Sequence, residues 1–151
     1  MYLQAVPEFS PQDLEHRVSH RIKRQAILYG DDPAPYRAVI HEAALRMRFG
    51  GRSVARVQLH HLLKLSELEH VSILTIPFAV GSYPGSGQTA YFSHGPVPQL
   101  DTAQLDQAHG MTFIDAEAQL AQYRMLFDRL EATALGEAES RDFIHDIAEN
   151  L

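Results

Sequence analysis

The sequence contains no cysteine and no tryptophan. Without thiols there is no disulfide framework, no thiolate zinc or iron–sulfur site and no cysteine nucleophile. Nor does any stretch approach the roughly 18 consecutive apolar residues that a membrane span requires. The opening residues, Met1-Tyr2-Leu3-Gln4-Ala5-Val6-Pro7-Glu8, lack the basic start and apolar run of a signal peptide. The expectation is a cytoplasmic chain with no membrane contact. Excess positive charge is absent too: the net charge is −6, which argues against holding nucleic acid by bulk charge.

What is present is ordinary for a globular chain. At 151 residues, 45% hydrophobic and 21% charged, it falls in the range of one domain. A chain of this size buries about 68–70% of its unfolded surface, enough for a core without staples. The charges are uneven. Residues 1–64 hold ten Lys/Arg against six Asp/Glu, and residues 65–151 hold three against thirteen. The plain reading is a basic half packed against an acidic one.

Local patterns predict the elements. Ser10-Pro11 opens a helix over 10–29, with Ser as cap and Pro at the first helical position. Leu14, Val18 and Ile22 form its inner stripe. Residues 36–40 are β-prone and predict a strand. Short helical stretches come next, at 42–47 and 53–67. Ser53 is the expected cap of the latter, and Val54, Val57, Leu62, Leu65 and Leu68 its apolar positions. Residues 71–78 alternate like a half-buried strand. A glycine-rich loop over 81–87 leads to a strand at 88–93. Residues 94–110 are hard to read, and 111–114 suits a short strand. Asp115 is the expected cap of a helix over 115–134, with Leu120, Tyr123, Phe127 and Leu130 facing inward. A last helix spans 137–149 and turns Phe143, Ile144 and Ile147 inward. These elements predict one α+β domain, 1–151: a small, mostly antiparallel sheet packed with four to five helices.

No constellation spells out a reaction. His41-Glu42-Ala43-Ala44-Leu45 starts like a zinc-protease helix, but Leu45 stands where the second His must be. His16 and His20 have metal-ligand spacing on a helix crowded with Arg and Lys, which repels a cation. The glycine-rich loop lacks the Lys of a phosphate loop, and no G-x-S-x-G elbow is present. No metal and no cofactor are expected. Arg17, Arg21 and Arg24 share one helical stripe and are candidates to clamp an anionic ligand. Tyr83 and Phe92 are the aromatic ligand candidates. For acid–base chemistry the candidates are His41, Glu42, Tyr91, His94 and Asp101. No helix pair shows the polar reading face of a helix-turn-helix.

Several phrases, in order, carry a family resemblance. They are Arg21-Ile22-Lys23-Arg24-Gln25, His41-Glu42-Ala43-Ala44-Leu45-Arg46, Gln58-Leu59 with Leu62-Leu63, and Ile76-Pro77-Phe78 with Gly81 and Pro84-Gly85. Tyr123-Arg124-Met125-Leu126-Phe127-Asp128-Arg129-Leu130, Ala134-Leu135 and Glu139-Ser140 complete the set. The chain resembles, over residues 1 to 148, the effector domain of unknown function found behind XRE-type helix-turn-helix domains in actinobacterial antitoxin-like regulators. Tyr2-Leu3-Gln4-Ala5 resembles the residues just after the family's apolar opening segment. Ala90-Tyr91-Phe92-Ser93 and Pro98-Gln99-Leu100-Asp101 depart from the family's middle strands, with Asp101 where a Glu is usual.

The resemblance implies a stand-alone effector or sensor domain that binds a small protein or small molecule without contacting DNA. It also implies a possible homodimer, or a heterodimer with a full-length regulator. The alternative is a small cofactor-free enzyme, of cyclase or isomerase type, in secondary metabolism.

Overall fold

The computed structural model describes residues 9–85, 89–107 and 110–151. Its contacts divide the chain into two units. One comprises the chain up to Phe78 together with Leu135–Leu151, and the other is Ala79–Ala134. The fold class is α+β.

The first unit begins with α1 (Pro11–Arg24), which Ser10 caps by accepting the Asp13 N–H at 3.2 Å. A 3-10 turn over Gln25–Leu28 continues it, so the regular helix ends earlier than the apolar pattern suggests. Then come β1 (Tyr36–His41), α2 (Glu42–Arg46), α3 (Arg52–Leu65), β2 (Val71–Ile76) and, after the second unit, α5 (Glu137–Glu149). β1 and β2 pair in parallel, Tyr36 opposite Val71 through His41 opposite Ile76. A parallel pair cannot be joined by a tight hairpin, and α2 with α3 supplies the crossover. β2 alternates as expected, with Val71, Ile73 and Thr75 buried.

Leu28, Leu45, Leu59, Val71, Ile73, Ile144, Ile147 and Ala148 form this unit's core. Two expected stripes are corrected. Ala55 and Leu59 are the buried residues of α3, whereas Val54 and Val57 are 53% and 69% exposed. The helix turns its 55–59 stripe inward and cannot bury the neighbouring one as well. In α1 no residue is buried, and Val18 and Ile22 are exposed. An amphipathic pattern permits burial, but a facing surface must exist for it to happen. Ser53 does not cap α3. That position belongs to Gly51, whose φ of +91° suits a residue without Cβ.

The second unit holds β3 (Ala90–Ser93), β4 (Thr102–Gln107), β5 (Gly110–Ile114) and α4 (Glu117–Thr133). The strands form an antiparallel sheet in the order β3-β4-β5. β4 lies in the stretch that local pattern left unread. α4 starts after Ala116 without a side-chain cap, so Asp115 is not its cap. Leu120 is fully buried, and Tyr123, Phe127 and Leu130 are partly buried. Among the described residues no helix is long and apolar enough to cross a membrane.

The outer edge of β2 is closed by side chain and loop. The Thr75 N–H donates to Ser140 Oγ at 2.9 Å, and the Leu135 N–H donates to the Thr75 carbonyl at 2.9 Å. Ser140 Oγ donates in turn to the Leu135 carbonyl at 3.1 Å. The Thr75 hydroxyl is buried without a hydrogen-bond partner among the described residues. Ser140→Ala orphans a buried N–H and is expected to cost about 1–3 kcal/mol. Thr75→Val removes an unsatisfied hydroxyl at nearly constant shape and is expected to raise stability by about 1 kcal/mol. Urea unfolding of the two variants checks the opposite signs.

Candidate functional site

His41 and Glu42 lie where β1 passes into α2. His41 Nδ1 accepts the Ala43 N–H at 3.2 Å and so caps this short helix. Its ring meets Phe78 edge-on, with centroids 5.2 Å apart. Glu42 is buried, at 6% exposed. It accepts the Phe78 N–H at 2.7 Å and Arg46 Nε at 2.5 Å. Burial opposes its charge, but those two hydrogen bonds and the Arg46 charge outweigh it. The net effect is a pKa below the ordinary 4.5. Glu42 therefore stays ionised and tied to structure at neutral pH.

A second acidic corner is built in the other unit. Asp101 is buried, with Arg124 Nη2 at 2.8 Å and the Gly95 N–H at 3.0 Å. The Arg124 hydrogen bond, then that of Gly95, lowers its pKa against the opposing effect of burial. Arg124 also donates to Glu117 at 2.9 Å. His94 Nδ1 stands 3.7 Å from the Asp101 carboxylate, and its ring lies 4.9 Å from that of Phe92. The Arg124 guanidinium stacks 5.4 Å from the Phe92 ring centre. This clamp depends on close approach at Gly95. A Cβ there would stand 2.6 Å from Leu100 Cβ and 2.8 Å from the Leu100 main chain.

The acid–base candidates thus form two pairs, His41 with Glu42 and His94 with Asp101, each within its own unit. Tyr91 sits on β3 beside Phe92, and strand alternation sends their side chains to opposite faces. Arg17, Arg21 and Arg24 are exposed on α1, and Arg17 stacks 4.0 Å above the Phe9 ring. Tyr83 lies in the loop after Val80, in the unit that also holds Phe92. Ser86 and Gly87 of the glycine-rich loop and Gln88, the first residue of the expected strand, lie outside the described residues, as does the segment 1–8. Among the described residues, no group of three His, Asp or Glu side chains converges to hold a metal ion.

None of the ten candidates lines the open cleft of the first unit. Its volume is about 520 Å³. Its walls come from Ile40 of β1, Leu45 of α2, Met47 and Phe49 in the loop after α2, and Val54 and Leu62 of α3. Gln58 supplies its one polar side chain among the described residues. The volume is within the range of about 300–1,000 Å³ typical of binding sites. Sequence reasoning missed the cleft because it assigned Val54 to the core. The available signal was two competing apolar stripes on one helix, more than one buried face can absorb.

A family match covers residues 1–146. The chain belongs to the DUF5753 family, a domain of unknown function. No curated protein and no solved structure gives a significant match. The DUF5753 assignment attaches no role to any residue.

Two outcomes are expected of this geometry. A depressed carboxylate pKa stabilises the fold above the unfolded value and loses that contribution as pH falls through the folded value. Glu42 in the DUF5753 chain should therefore contribute fully above 4.5 and progressively less below it. Glu42→Gln is expected to be less stable than the parent at neutral pH and to lose less on acidification. Thermal unfolding across pH measures the difference. Gly95→Ala is expected to cost about 1–3 kcal/mol through overpacking, read from the melting of the variant.

Proposed function

We propose that this chain is an effector-type receiving module of an antitoxin-like regulator family with XRE-type context. It binds a protein partner or small molecule in the cytoplasm and makes no DNA contact of its own. The observation that carries this reading is the open apolar cleft between α2 and α3, bounded by Met47, Phe49 and Val54. These three side chains are each at least half exposed. Soluble proteins rarely present contiguous apolar surface without an occupant for it.

The competing reading, a cofactor-free cyclase or isomerase, needs acid–base groups that converge in a cavity. Neither His–carboxylate pair lines the cleft. Glu42 and Asp101 are both held ionised by donors that fill a structural role, which favours binding over catalysis.

A thermal-shift screen of the full chain against amphipathic small molecules and peptides tests the proposal. A ligand that binds the folded state alone adds about 2.7 kcal/mol at a hundred times its Kd. Melting temperature should rise with hits, and Val54→Asp should abolish the rise. Shifts that persist unchanged in the variant, or salt-sensitive submicromolar binding to random duplex DNA, would falsify it.

A further inference from the structure

The stretch of chain that builds most of the cleft carries a charge signature in addition to its apolar residues. From Ala43 to Ser66 the chain has no Asp or Glu, while Arg46, Arg48, Arg52, Arg56 and Lys64 fall in the same stretch. In sequence these cations interleave with the apolar lining. Arg48 stands between Met47 and Phe49, and Arg52 and Arg56 bracket Val54 and Ala55. Two are engaged: Arg46 pairs with Glu42, and Arg52 donates to the Leu151 carbonyl. Arg48 and Arg56 are exposed, and neither side chain makes a hydrogen bond or ion pair among the described residues. A solvated guanidinium at Arg48, flanked in sequence by two residues of the cleft wall, disfavours cationic visitors and favours anionic ones.

Resting on the effector reading above, we infer that the α2–α3 cleft docks an acidic amphipathic helix of another protein. Three observations favour this occupant. The cleft is open to one side rather than enclosed, whereas a compact small molecule ordinarily buries most of its surface. Its lips at Met47, Phe49 and Val54 are half or more exposed, which suits a helix laying one apolar face along a groove. The Arg48 charge, between Met47 and Phe49 in sequence, then selects carboxylates on the flanks of that helix. A second copy of this chain is a poor occupant. Its exposed amphipathic helix, α1, surrounds Val18 and Ile22 with Arg17, Arg21, Lys23 and Arg24, so like charge would meet like.

Selection from a displayed random peptide library against the immobilised full chain tests the inference. Peptides of about 15 residues suffice, the length at which isolated helices become marginally stable. Enriched sequences should carry net negative charge and apolar side chains three and four apart. Their affinity should fall about tenfold or more with Val54→Asp, and similarly with Arg48→Glu. Both positions are exposed, and the Arg48 side chain has no described partner to lose, so Arg48→Glu keeps the test valid should Val54→Asp fold poorly. Neutral or basic winners overturn the acidic partner while leaving a receiving cleft in place. Winners bound equally by both variants, or no enrichment at all, overturn the docking site itself. A dimer seen by light scattering that Val54→Asp converts to monomer assigns the cleft to a second copy and also overturns the inference.

Discussion

The main chain of Thr75 is the constraint on which the first unit depends. β1 occupies one edge of β2, and Thr75 is fully buried, so its outward N–H and carbonyl cannot turn to water. A buried peptide group left unpaired costs free energy comparable to a lost hydrogen bond. Ser140 and Leu135 provide the missing partners. One serine hydroxyl both accepts from the strand and donates to the Leu135 carbonyl. This fixes where α5 begins, and from there Ile144, Ile147 and Ala148 reach the core shared with Leu59 and Ile73. Edge closure and core packing are thus one arrangement, made by residues that are distant in sequence.

The same arrangement accounts for the cleft. With the 55–59 stripe of α3 committed to the core, Val54 must lie at its margin. α2 is too short to cover it, and Glu42 holds that helix beside the end of β2 through the Phe78 N–H. The loop with Met47 and Phe49 therefore stands beside Val54 with no apolar cover. Glu42 would look catalytic if judged by burial alone. Its hydrogen bonds show a carboxylate spent on joining a helix to a strand end, and Asp101 serves a comparable role between Gly95 and Arg124.

Much of the architecture was legible locally. Ser10-Pro11, the alternation of 71–76 and the inward faces of α4 and α5 come from capping and periodicity, which depend on near neighbours alone. β4 was not legible, because Thr102–Gln107 owes its extended form to pairing on both sides, with β3 and with β5. The phases of α1 and α3 failed for a related reason. Val18 and Val54 have the right spacing for burial, yet spacing says nothing about whether a surface faces them. The candidate site was hidden by that same gap, since its residues looked like core.

The sequence by itself determined the α+β class, most helices and strands, the Ser10 cap of α1 and the family. These are governed by interactions a few residues apart, or by a pattern of phrases spread along the chain. Tertiary structure alone decided which apolar stripe of each helix is buried, that Ser140 closes the edge at Thr75, and that Glu42 and Asp101 are consumed by structural partners. Those outcomes rest on competition among distant groups for one core and one set of hydrogen-bond donors. Such a competition has no local signature, because it is resolved only when the chain has closed on itself.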